Sequence, residues 1–301
     1  MHDQSPLTAD RTSALPWRGG EVARAFLEVG GHALAYAEVG QGRPLVLIHG
    51  TLTTLDDMAL ALSDLLAPGR RLIAVDRPGF GRSGRDRLSG AGIFAQARGL
   101  WRGLDQLGVE RPIIVGHSFG ASVAVAMAVL RPAAVAGVVA LAPLVIPEWR
   151  LEHLIFGPRA WPGSGDLLAA TAHAGLDRGL LPILWRAMFL PQAMPPSMTR
   201  AFPFDLAGEA AATMRIGEDC LAVGPELLAL LARVGALDVP LEILGGDSDL
   251  VVNNTLHGRL LAALAPRARF SPLPGVGHMI HHAAPEVVAA AVERLERAGS
   301  A

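Results

Sequence analysis

The chain of 301 residues carries 26 Lys and Arg against 28 Asp and Glu, is 51% hydrophobic and 18% charged, and has a formal net charge of −2. That composition excludes a largely disordered chain. It offers neither the basic surface of a nucleic-acid binder nor a polybasic membrane segment, so no nucleic-acid partner is expected. A single cysteine, Cys220, excludes an intrachain disulfide and suits a reducing compartment, which makes a cytoplasmic location the expectation.

The opening text, "MHDQSPLTADRTSALPWRGG", has no apolar h-region and no run of positive charge. No signal peptide is expected, and residues 1–24 read as a disordered lead-in. Short apolar runs then alternate with helical patterns. "ALAYAEVG" (33–40) alternates like a half-exposed strand. "PLVLIHG" (44–50), "RLIAVD" (71–76), "PIIVGH" (112–117), "VAGVVALA" (135–142), "PLEILGG" (240–246) and "ARFSPLP" (268–274) are continuous apolar runs of strand length. Such runs suit strands buried on both faces of a parallel sheet. Helical patterns cover 56–66, 91–107, 119–130, 253–264 and 285–297. The alternation predicts an α/β fold: a mostly parallel central sheet flanked by helices.

The rhythm breaks between residues 144 and 237, where the text turns into helical pieces punctuated by proline and carries no strand-like run. The expectation is an α/β core formed by 25–143 and 238–301, with 144–237 inserted as a helical cap, or lid. The longest apolar stretch, 133–147, contains Pro143 and falls short of the roughly 20 residues a membrane span needs, so no span is expected.

One junction in this apolar text is polar. In Gly116-His117-Ser118-Phe119-Gly120 a serine stands between a strand and a small-residue helix, "FGASVAVAMAV". A G-x-S-x-G pattern there places the hydroxyl on a sharp turn at a helix N-terminus, where negative charge is favoured. The plainer reading is a serine that packs a tight turn. The context of strand before and helix after favours the chemical one.

From here the chain resembles the α/β-hydrolase family, over residues 26 to 297. "LVLIHGT" (45–51) resembles its His-Gly oxyanion loop, and "DRPGFGRS" (76–83) its glycine-rich loop. "LGGDSDLVV" (244–252) resembles the acid-bearing loop, and "LPGVGHMIHHAAPE" (273–286) the histidine-bearing loop. All five segments fall at carboxyl ends of strands, where open α/β sheets carry their sites. The resemblance implies Ser118 as nucleophile, His278 as its base and Asp249 as the orienting acid, in the chain order expected of the family. Asp247 is the competing acid, expected to shape the loop instead. His281 and His282 are expected to cap or cover the following helix, and His49 and His117 to make structural hydrogen bonds. Asp76 is expected to bond backbone N–H groups of its own loop.

By the same analogy the backbone N–H groups of Thr51 and Phe119 form an oxyanion hole. Leu52 and Phe119 line the acyl pocket. In the cap, Trp185 and Phe189 are the expected substrate-binding walls. Glu148, Glu152, Glu209, Glu218 and Asp219 read as surface residues. No cofactor is expected, and the histidine spacing supports no metal site.

A serine nucleophile points to acyl transfer, since relatives acting on epoxides or carbon–halogen bonds use aspartate at that position. The leading expectation is a hydrolase of a small apolar acyl substrate, a carboxylic ester. C–C bond hydrolysis of a ring-cleavage diketone, cofactor-free perhydrolysis, and a slow-turnover ligand receptor on the same fold remain alternatives.

Overall fold

The computed structural model describes residues 7–17 and 20–299. Nine strands among them form one sheet: β1 (Leu7–Trp17), β2 (Gly20–Val29), β3 (His32–Val39), β4 (Arg43–Ile48), β5 (Arg70–Val75), β6 (Ile113–His117), β7 (Gly137–Leu141), β8 (Leu241–Gly246) and β9 (Ala268–Leu273). Their order is β1-β2-β3-β5-β4-β6-β7-β8-β9. The β1–β2, β2–β3 and β3–β5 pairs are antiparallel, and every pair from β5 to β9 is parallel.

The continuous apolar runs are explained by what lies on the two faces. Leu45, Leu47, Leu72, Ala74, Val115 and Leu244 point into one core, packed by α1 (Leu55–Leu66) and by α12 (Pro285–Ala298). Val46, Ile48, Ile73, Ile114, Val138 and Ile243 point into the other, packed by α2 (Ile93–Gln106), α3 (Phe119–Leu130) and α10 (Asn254–Leu264). Successive strand residues face opposite sides, so a strand covered on both sides needs an apolar residue at every position.

The N-terminal segment departs from expectation. Residues 1–6, 18 and 19 lie outside the described residues, but 7–17 and 20–24 belong to β1 and β2 rather than to a disordered lead-in. An edge strand pairs through its backbone, so the polar text of 7–14 is no obstacle to a ladder. The turn into β3 is Gly30-Gly31, both at positive φ (63° and 83°), with Val29 paired to His32. Gly-Gly between two strand-like runs is a two-residue hairpin signal, and it was present in the sequence.

Between β7 and β8 the described chain is helical: α4 (Leu151–Ile155), α5 (Gly165–Ala174), α6 (Leu176–Phe189), α7 (Pro196–Ala201), α8 (Phe204–Ala207) and α9 (Ala210–Val234). A third apolar cluster holds this insertion together and includes Phe156, Leu181, Trp185, Phe189, Met198 and Ile216. The last part of α9 does not belong to it: Leu227, Leu230 and Val234 pack into the core beneath the sheet. The short α11 (Ile280–Ala283) precedes α12. Among the described residues no helix is long and apolar enough to cross a membrane.

Candidate active site

Strand β6 ends at His117 and helix α3 begins at Phe119, leaving Ser118 alone at the corner with φ 54° and ψ −119°. A positive φ on a non-glycine residue is strained and persists only where the surroundings impose it. Here they are backbone. A Cβ on Gly116 would lie 2.4 Å from the Gly120 carbonyl oxygen, and one on Gly120 would lie 2.3 Å from the His49 carbonyl oxygen. A Cβ on Gly50 would come within 3.3 Å of Ser118 Cβ. Three glycines thus let strand, helix and the loop after β4 close on one point, and the Ser118 N–H donates to the Leu141 carbonyl (2.8 Å).

The loops after β8 and β9 bring two further groups together. His278 Nδ1 lies 2.7 Å from Asp249 Oδ2, with both side chains buried. Asp249 Oδ1 accepts from the N–H groups of Val251 (2.6 Å) and Val252 (2.9 Å), and the Asn254 amide donates to Oδ2. Burial opposes the charge on Asp249, but His278 and the two backbone donors outweigh it and hold the carboxyl below its ordinary range. An ionised partner at Nδ1 favours the tautomer whose Nε2 accepts a proton. Asp247 does different work: its Oδ1 accepts from the Gly275 N–H (2.8 Å) and the Ser248 hydroxyl (3.0 Å), tying one loop to the other.

The loop after β4 is fixed by its own histidine. His49 Nε2 accepts from the Arg77 N–H (2.9 Å), while Nδ1 donates to the Gly50 carbonyl (2.9 Å). Burial, reinforced by the Arg77 charge, pushes the ring down to about 3, so it is neutral and structural. Thr51 and Leu52 follow, with Leu52 at φ 60°. Asp76 accepts from the N–H groups of Leu55 (2.8 Å) and Arg82 (3.0 Å), a loop-shaping role.

Ser118, His278, Asp249, Thr51 and Leu52 line one cavity of about 690 Å³. Its other wall comes from the insertion: Arg150, Glu152, Ile155, Phe156, Leu184, Ala187 and Met188, with Trp149 at 85% exposure. Phe119 is buried beneath, and its ring faces the Arg77 guanidinium at 4.6 Å. Trp185 and Phe189 are not on this wall. Trp185 Nε1 donates to the Leu52 carbonyl (2.8 Å), its ring meets Phe204 at 4.8 Å, and it borders a separate recess of about 470 Å³. Phe189 is core of the insertion, 5.3 Å from the His282 ring. On α6 the helical period turns Leu184 and Met188 toward the cavity and these two aromatic residues away from it.

Three acids expected at the surface are not there. Glu218 and Asp219 are buried, paired with Arg85, Arg87, Arg215 and Arg77, and Glu152 pairs with Arg150 (2.7 Å) in the cavity wall. The sequence also gave no warning of Asp57, whose carboxylate is shared by His281 (3.0 Å) and His282 (2.8 Å). Ligand-type atoms of Asp57, His117 and His281 lie within 4.8 Å of one another. The Asp57 carboxylate is engaged by the imidazoles of both His281 and His282, a brace that ties α1 to α11. His117 completes it, its Nε2 3.1 Å from the His278 carbonyl.

Residues 43–285 match the model of the alpha/beta hydrolase fold family. The chain is 28% identical to haloalkane dehalogenase 2 of Mycobacterium tuberculosis, over 88% of this chain and 91% of that protein. It is 37% identical to the dihydrolipoyllysine-residue acetyltransferase component of the acetoin cleaving system of Cupriavidus necator, but over only 40% of this chain and 32% of that protein. Among solved structures, a thermophilic esterase from Thermogutta terrifontis superposes with a TM-score of 0.68 at 20% identity, covering 98% of this chain and 99% of the other.

Proposed function

The chain belongs to the α/β-hydrolase fold family, and from that premise we propose that it is a serine hydrolase cleaving an apolar carboxylic ester through an acyl-enzyme. The observation that carries this reading is the Asp249–His278 contact of 2.7 Å on the wall of the cavity onto which Ser118 opens. His278 Nε2 takes the proton of Ser118 as its oxygen attacks the ester carbonyl. The N–H groups of Thr51 and Phe119 receive the developing oxyanion. Collapse of the tetrahedral adduct expels the alcohol, which leaves with the proton held by His278. Water, deprotonated by the same imidazole, then cleaves the acyl-enzyme. Asp249 keeps the imidazole in register and stabilises its cation.

The relative named as a haloalkane dehalogenase raises a second chemistry, and the residue at the elbow argues against it here. A serine oxygen that displaced halide from an alkyl carbon would leave an ether, with no carbonyl for water to attack. An acyl carbon leaves an ester, which water can cleave. The wall of Leu52, Ile155, Phe156, Leu184 and Met188 supports an apolar acyl group. The test is labelling with a fluorophosphonate followed by turnover of aryl esters of rising acyl length. Wild type should label at Ser118 and hydrolyse them, and Ser118→Ala should lose both, with a rate loss of about 10⁴-fold or more. Turnover that survives Ser118→Ala would overturn the serine mechanism.

A further inference from the structure

Arg77 is fully buried, yet its guanidinium reaches three separate parts of the molecule. Nη1 donates to Gln96 (2.7 Å) on α2 and to Asp219 (3.1 Å) on α9 of the insertion. Nη2 donates to the Gly50 carbonyl (3.2 Å). The Phe80 and Phe119 rings face it at 4.2 and 4.6 Å. Asp219 is itself held by Arg85 (2.6 Å) and by the Gln96 amide (3.1 Å). Burial draws the Arg77 guanidinium down to about 10, with Asp219 opposing, so it remains a cation at neutral pH.

The contact with Gly50 matters because of peptide geometry. The Gly50 carbonyl and the Thr51 N–H belong to one planar trans unit and point in opposite directions. A donor that holds the carbonyl also aims the N–H, and a charged donor polarises the amide so that its N–H donates more strongly. We propose that Arg77, oriented by Asp219 of the insertion, is a positioning residue that aims and polarises the Thr51 N–H toward the oxyanion, while its contact with the Phe119 ring holds the residue that supplies the second N–H. Docking of α9 is thereby coupled to assembly of the oxyanion hole. The inference rests on the serine-hydrolase reading above and adds to it a residue that touches no substrate.

The experiment compares Arg77→Met, Arg77→Lys and Asp219→Asn with wild type, using a small aryl ester and two inhibitors. One is a trifluoromethyl ketone, which forms an oxyanion adduct with the serine; the other is its methyl ketone counterpart. Near-UV circular dichroism reports the fold. Each variant should lose kcat by about 10- to 100-fold with KM within about threefold, Arg77→Met losing most, and trifluoromethyl ketone affinity should fall by the same factor while methyl ketone affinity holds. A kcat within about threefold of wild type, or equal losses for both ketones, overturns the proposal. Loss of the native dichroism in all three variants also overturns it, since the pair is then a core strut only. Wild type that hydrolyses no ester, or does so without Ser118, counts against the hydrolytic reading. Wild type that acts through Ser118 while the variants keep its kcat counts against Arg77 alone.

Discussion

Asp247 and Asp249 share one loop but meet different partners, and their substitution should separate them. Asp249→Asn should cost about 10³- to 10⁴-fold in kcat, because His278 loses the partner that sets its tautomer and stabilises its cation. Asp247→Asn should stay within about tenfold, as it only loosens the contact with Gly275. Steady-state kinetics of both variants decides the matter, and losses in the reverse order would exchange their roles. Asp249 also has a pH signature. Its folded-state carboxyl lies below the unfolded value, so its stabilisation is complete above the unfolded value of about 3.9 and is lost as pH falls through the folded value. Urea unfolding should therefore show a stability gap between wild type and Asp249→Asn that is constant near neutrality and narrows below about pH 4; a gap that widens in acid would contradict the assignment. The placements of Ser118, Asp249 and His278 were legible because each sits at a strand end with glycine nearby. Asp57 was not, since its two histidine partners lie more than 220 residues away in sequence and nothing local marks it.

Helix α6 shows why a list of large side chains is a poor guide to a cavity wall. Leu184 and Met188 are one turn apart on the face toward Ser118, whereas Trp185 faces the interior of the insertion. Met188→Ala should lengthen the preferred acyl chain of the substrate at a smaller cost in stability than Trp185→Ala, because its side chain borders an existing cavity. Trp185→Ala should instead cost about 3–5 kcal/mol in stability, as it empties a packed site and frees the Leu52 carbonyl. Chain-length profiles and thermal unfolding of the two variants test the distinction, and a shift of preference in Trp185→Ala without destabilisation would refute it. The composition of the insertion was readable, but the phase of this helix was not. Pro182 and the apolar residues on every side of α6 blur the period that would have assigned its faces. The parallel strands were the opposite case, their length and burial following from unbroken apolar text.

Across the whole molecule, the insertion is fastened to the loop after β5 by charges that the sequence displays as ordinary surface residues. Glu218 is fully buried and receives Arg85 (3.3 Å), Arg87 (2.7 Å) and Arg215 (2.9 Å). Glu218→Gln should destabilise the chain by about 1.5–3 kcal/mol in denaturant unfolding, because it removes the charge-assisted bonds of three guanidinium groups while Arg85 keeps Asp219 and Arg87 keeps Asp166. A loss below about 1 kcal/mol would mean that these arginines are served by water instead. Such pairs escape a reading of the sequence because their partners are more than 130 residues apart, and acids on a helix look like a solvated face. The connection at the sheet is the simpler matter. Residues 138–141 of β7 pair in parallel with 241–244 of β8, so the chain leaves the sheet at the carboxyl end of β7 and re-enters at the opposite edge, at the start of β8. The last stretch of α9, with Leu227, Leu230 and Val234 in the core, is the crossover that a parallel pair requires, and it cannot be cut away with the rest of the insertion. Exchange of the helical body is therefore confined to the part that precedes this crossover, and any replacement has to bring its own carboxylates for Arg77 and Arg85.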